Sequence, residues 1–137
     1  MTGPVLYVED DDDDSMLTLS YLNNLGLGSR VELTRNGIEA LDYLSRALRG
    51  EAALPALILA DIKMPKMNGL ELLERVRANN LLNGIPFMVL TSSRDERDRS
   101  KAGRLGADSY LQKPTNKAGF DELAAQILGF LEKARAG

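Results

Sequence analysis

Two short runs, Val5-Leu6-Tyr7-Val8 and Leu57-Ile58-Leu59-Ala60, are apolar at every position, and each breaks off at a carboxylate: Glu9-Asp10 after the first, Asp61 after the second. A strand with one wet face alternates polar and apolar residues. A strand with no polar position must be covered on both faces, the condition of a parallel sheet flanked by helices. Phe87-Met88-Val89-Leu90-Thr91 has the same character, and Ser109-Tyr110-Leu111 reads as a shorter strand. Arg30-Val31-Glu32-Leu33-Thr34 alternates with period two, as expected at a sheet edge.

Between these runs the period becomes helical. Leu17, Tyr21 and Leu25 recur on one helix face until Gly26 and Gly28 stop it, and Ile38, Leu41, Leu44 and Leu48 mark a second helix after the Asn36-Gly37 turn. Leu70, Leu73 and Val76 stripe a third, and Phe120, Leu123, Ile127 and Phe130 a last one. Arg49 to Pro55 and Ile62 to Gly69 read as loops, the second punctuated by Pro65 and Asn68-Gly69. The helix from Arg94 to Gly106 offers the core only Ala102 and Leu105, so it is predicted to be weakly anchored and easily displaced. Five strands alternating with five helices predict an α/β fold: a doubly wound, five-stranded parallel sheet in the order 2-1-3-4-5.

A chain of 137 residues with 44% hydrophobic and 27% charged residues is expected to form a single domain over 1–137, with no effector domain. It has neither an apolar run of membrane-spanning length nor a secretion-signal pattern, so a cytoplasmic protein without membrane contact is expected. A net charge of -3 argues against nucleic-acid binding. Without cysteine or histidine, thiolate sites, thiol nucleophiles and every histidine-based role are excluded. No Gly-x-x-x-x-Gly-Lys-Ser/Thr loop is present to cradle ATP, so any phosphoryl group must come from another molecule.

In this topology the strand ends converge on one edge, bringing Glu9, Asp10, Asp61, Thr91 and Lys113 together. Carboxylates packed that closely repel one another unless a divalent cation sits among them. Hard oxygen donors of this kind suit Mg2+ holding part of its water shell. Asp61 can also act as a carboxylate nucleophile and form an aspartyl phosphate, with the Lys113 ammonium and the Thr91 hydroxyl taking phosphoryl oxygens. Asp11 to Asp14 read as the solvated, dipole-matched start of the first helix. The cluster Arg94, Arg97, Arg99, Lys101 and Arg104 reads as a solvated face or as half of an interface. A phosphatase with an aspartyl nucleophile would want a second aspartate two residues after Asp61, where Lys63 stands. A phosphorylation-independent interaction module on the same scaffold would lack the acceptor or the lysine, and both are present.

The ordered set Val8-Glu9-Asp10, Asp61 with Met64-Pro65 and Asn68-Gly69, Leu90-Thr91-Ser92 and Lys113-Pro114 resembles the receiver domain of two-component response regulators, from Val5 to about Leu131. The resemblance implies the flavodoxin-like receiver fold and phosphorylation of Asp61 by a sensor histidine kinase, with catalysis limited to the domain's own phosphorylation and dephosphorylation. It makes Glu9 and Asp10 the acidic pair holding Mg2+, with Asp61 and the Lys63 carbonyl as further ligands. Thr91 and Tyr110 become the switch pair, and Lys113 the phosphate-sensing lysine. A cis bond before Pro114 is frequent in such domains, though rare among X-Pro bonds at large. The long Arg46–Pro55 stretch, the extended acidic run, Tyr21-Leu22 and Asp42-Tyr43-Leu44 look like the single-domain regulators paired with bacterial phytochrome kinases. That likeness implies a bacteriophytochrome as kinase, and a homodimer through the fourth helix, fifth strand and fifth helix. Output would be by protein contact, dimerisation or a downstream phosphotransfer protein.

Overall fold

In the computed structural model, which describes residues 3–136, β1 (Val5–Val8), β2 (Val31–Thr34), β3 (Leu57–Ala60), β4 (Phe87–Thr91) and β5 (Ser109–Gln112) form one parallel sheet. The strand order is β2-β1-β3-β4-β5, as the alternation of periods predicts. The helices are α1 (Asp12–Asn24), α2 (Gly37–Leu48), α3 (Gly69–Ala78), α4 (Glu96–Leu105) and α5 (Lys117–Ala136), with a 3-10 turn at Gly28–Arg30.

The all-apolar strands are covered on both sides because successive side chains leave a strand on opposite faces. Leu6, Val8, Ile58, Ala60, Phe87 and Val89 pack against α2, α3 and Ala102 of α4. Val5, Tyr7, Leu57, Leu59, Met88 and Leu90 pack against Leu22 of α1 and Leu123, Ile127 and Leu131 of α5. The β2 edge strand stays partly wet, as its alternation requires.

Two helix faces differ from the sequence expectation. In α1 the buried residues are Ser15, Thr18 and Leu22, while Leu17 and Leu25 are exposed. In α2 the buried set is Gly37, Ala40, Tyr43, Leu44 and Ala47, with Ile38 and Leu48 exposed. In both cases small residues share the seam against the sheet with Leu22, Tyr43 and Leu44, and the flanking apolar residues Leu17, Leu25, Ile38 and Leu48 fall to the side. In α4 Ala102 is the one buried residue and Leu105 packs partly, which is the weak anchoring expected.

The helix starts are chemically defined. Asp11, Asn36 and Asp95 accept from backbone N–H groups in the first turns of α1, α2 and α4, and Asn68 and Glu71 form a reciprocal capping box on α3. No described peptide bond is cis, Lys113–Pro114 included. No helix among the described residues is long and apolar enough to cross a membrane.

Candidate phosphoryl and metal site

Parallel register sets the site. Val8 lies opposite Ala60, so the next residues, Glu9 and Asp61, leave the sheet side by side. The Glu9 N–H donates to the Thr34 carbonyl at 3.0 Å and the Asp61 N–H to the Val8 carbonyl at 3.1 Å, which ties both backbones to the sheet. Both side chains are buried, and Asp10 beside them is half-buried. One carboxylate oxygen from each of Glu9, Asp10 and Asp61 lies within 4.8 Å of the others.

The loop after Asp61 folds back on it. Asp61 Oδ1 accepts from the Ile62 N–H at 2.7 Å, and the Gly69 N–H donates to the Ile62 carbonyl at 3.0 Å. A Cβ on Gly69 would stand 2.0 Å from the Asp61 carbonyl oxygen, so only glycine fits there. Lys66 in this loop takes the left-handed backbone conformation, φ 68°, at a small steric cost for a side-chain-bearing residue.

Lys113 reaches in from the end of β5, its backbone N–H bonded to the Thr91 carbonyl at 2.8 Å. Its Nζ lies 2.8 Å from Asp61 Oδ2, 2.9 Å from Glu9 Oε1 and 2.6 Å from Asp14 Oδ2. The contacts to Asp61 and Asp14 are hydrogen bonds; Glu9 Oε1 is held by charge but is buried without a hydrogen-bond partner. Burial pushes the Glu9 carboxyl up to about 7, against the pull of Lys113 and with help from the Asp61 charge. Burial by itself would lower the Lys113 pKa, but its hydrogen bonds to Asp14 and Asp61 and its ion pair with Glu9 prevail and raise it. The ammonium therefore stays charged. Three carboxylates within reach of one another, two of them buried and sharing a single ammonium, are the donor set that a hard divalent cation fits.

The remaining sequence candidates lie around this centre. Thr91, fully buried at the end of β4, accepts from the Ser93 N–H at 3.2 Å. Tyr110 on β5 has a buried hydroxyl without a hydrogen-bond partner, and the Arg99 guanidinium of α4 lies 4.8 Å from its ring centre. A small cavity of about 70 Å3, lined by Ser93, Arg99, Tyr110 and Gln112 among others, separates α4 from β5 here. Lys63 is exposed and lines a cleft of about 480 Å3 with Asp10, Met64, Asn68, Asp98 and Lys101.

Two residues of the site were not picked out by sequence reasoning. Asp14, read as a solvated helix start, instead bonds Lys113 from 99 positions away, whereas Asp12 and Asp13 are exposed. Arg35 donates to the Asp10 carbonyl at 3.1 Å and pairs with Asp12 at 2.6 Å, bracing the acidic turn from the end of β2. Neither contact has a local signature, since both depend on the sheet order.

Residues 5–127 match the family described as the response regulator receiver domain. Among curated relatives, the probable methanogenesis regulatory protein FilR2 of Methanothrix harundinacea is 37% identical over 90% of this chain and 77% of its own length. The chain spans only 51% of the CpxR homolog of Haemophilus influenzae, which is 36% identical over 94% of this chain. Among solved structures, the bacteriophytochrome response regulator RtBRR is 44% identical with a TM-score of 0.77, covering 91% of this chain and 77% of that one. The phosphorylated cyanobacterial phytochrome response regulator RcpA has a TM-score of 0.82 at 30% identity, covering 96% and 94% of the two chains. The Mn(2+)-bound form of response regulator Rcp1 has a TM-score of 0.77 at 29% identity, with 91% of each chain covered.

Proposed function

The chain belongs to the response regulator receiver domain family, and from that premise we propose that it takes a phosphoryl group from the phosphohistidine of a sensor histidine kinase onto Asp61. In this step the P–N bond to the donor imidazole breaks, a P–O bond to the Asp61 carboxylate forms, and the leaving ring nitrogen takes a proton from solvent so that the histidine departs as neutral imidazole. The observation that carries the reading is the Lys113 ammonium 2.8 Å from Asp61 inside a buried carboxylate cluster, a charge arrangement with no structural purpose of its own.

Transfer of this kind demands positioning and charge neutralisation more than covalent work. Asp61 is held in place by its bond from Ile62 and by the loop closed over Gly69. A Mg2+ bound by Glu9, Asp10 and Asp61, with the Lys63 carbonyl as a further ligand, would supply the positive charge that lets an anion enter among carboxylates. Lys113 offers its ammonium to one phosphoryl oxygen and Thr91 its hydroxyl to another. The phosphorylated RcpA and Mn(2+)-bound Rcp1 structures lend support by likeness.

For output, Thr91 moves toward the phosphoryl group, Tyr110 fills the space it leaves, and the weakly anchored α4 shifts. The surface of α4, β5 and α5 then binds differently, as a homodimer face or toward a downstream protein. The likeness to RtBRR supports a bacteriophytochrome as the kinase. The test is incubation with acetyl phosphate and Mg2+ followed by intact-protein mass spectrometry. One added phosphoryl group on the wild type and none on Asp61→Asn is the expected result; equal labelling of both proteins, or of neither, overturns the assignment.

A further inference from the structure

We infer that Asp14 is a positioning residue for Lys113, holding its ammonium at the phosphoryl site while the other carboxylates are drawn away; the inference rests on the function proposed for Asp61. An ammonium has three N–H donors and no acceptor. Here three carboxylates, from Asp14, Asp61 and Glu9, stand 2.6, 2.8 and 2.9 Å from Nζ. Glu9 and Asp61 also belong to the trio that can hold a cation, and Asp14 does not. Once Asp61 carries a phosphoryl group it is an acyl phosphate whose carboxyl carries no negative charge of its own, and Glu9 would be committed to the cation. Asp14 is then the carboxylate still free to hold Lys113.

Its placement suits that task. Asp14 is the third residue of α1, its N–H bonded to Asp11 Oδ1 at 2.9 Å, so a capped helix fixes its backbone rather than a loop. Lys113 carries its charge on a long flexible stem whose rotamers must be restricted for the ammonium to meet one phosphoryl oxygen. The Asp14 side chain is 41% exposed, so truncating it empties no core space. Helix-dipole stabilisation alone would leave Asp14 turned to water, as its exposed neighbour Asp13 is.

The experiment is a double-mutant cycle on the phosphorylation rate, with acetyl phosphate as donor and saturating Mg2+. Asp14→Ala should lower the maximal rate about tenfold, the size of losing a hydrogen bond to a charged group. The half-saturating donor concentration should move less than about twofold, because positioning acts on the reacting geometry. Asp14→Asn keeps an oxygen for Lys113 and should recover most of the rate. In a Lys113→Ala background Asp14→Ala should change nothing further. A rate within about twofold of wild type for Asp14→Ala, or the same loss with Lys113 removed, overturns the role. If Lys113→Ala reacts too slowly to follow, equal losses for Asp14→Ala and Asp14→Asn overturn it instead. A wild type that takes up no phosphoryl group sinks the proposed function and this inference together, whereas an active wild type with an indifferent Asp14 sinks the inference alone.

Discussion

Arg77 Nη2 lies 2.9 Å from Asp108 Oδ2, and this pair locks the edge of the fold opposite the carboxylate cluster. The same guanidinium donates to the carbonyls of Gly106, Asn83 and Ile85, and the same carboxylate oxygen accepts from the Phe87 N–H at 2.8 Å. One side chain thus ties the end of α3, the following loop, the C-cap of α4 and the entry to β5.

Arg77→Ala should cost about 1–2 kcal/mol in urea denaturation, because the part-buried Ile85 carbonyl loses its donor while the acceptors at exposed positions regain water. Asp108→Ala should cost a similar amount by stranding the Arg77 fork and the Phe87 N–H, and the double variant less than the sum. Strict additivity would show that the two residues act separately.

Gly69→Ala places a methyl group where the Asp61 carbonyl stands, 2.0 Å away and on the backbone, so the loop and not a side-chain tip must yield. A loss of about 2–4 kcal/mol is expected, with slower phosphorylation of whatever folds. Gly84→Ala, which meets nothing within 4 Å, is the control and should stay near wild type. Equal stability of the two variants would contradict the close approach.

The sheet order and the meeting of Glu9, Asp10, Asp61 and Lys113 were legible because the central strands β1, β3 and β4 are short apolar runs and the strands carrying the site end at chemically distinctive residues. Helix faces were less so. Apolar spacing favours Leu17, Tyr21 and Leu25 in α1, but the seam there accepts Ser15 and Thr18, small side chains that hydropathy discounts. In α2 the row through Ile38 and Leu48 outweighs Ala40 and Ala47 on any hydropathy count, yet alanine is what lets the helix lie close. Asp14 could not be told from Asp12 or Asp13 by sequence, since only the three-dimensional arrival of Lys113 separates them.

Millimolar Mg2+ should raise the melting temperature by several degrees, since a ligand at a hundredfold its Kd adds about 2.7 kcal/mol. Asp10→Asn is the cleanest variant for this measurement: Asp10 belongs to the cation trio, yet among the described residues it makes no ion pair with Lys113. Its own fold should be undisturbed and its Mg2+ response reduced. A melting curve indifferent to Mg2+ in the wild type would remove the case for a metal site.

Glu9 gives the cluster a pH signature in metal-free protein. Burial lifts its carboxyl from 4.5 to about 7, so the folded state favours the protonated form. A raised carboxyl pKa stabilises the fold fully below the unfolded value, and that contribution is lost as pH climbs through the folded one. The window therefore runs from 4.5 to about 7. Glu9→Gln mimics the neutral acid at every pH. In EDTA its melting temperature relative to wild type should rise steadily across the window and level off above it. Saturating Mg2+ should reverse the order, because the wild type then gains a cation that the amide binds poorly. A difference between the two proteins that stays constant from about pH 4.5 to 8 in EDTA would mean that the Glu9 proton is not held by burial.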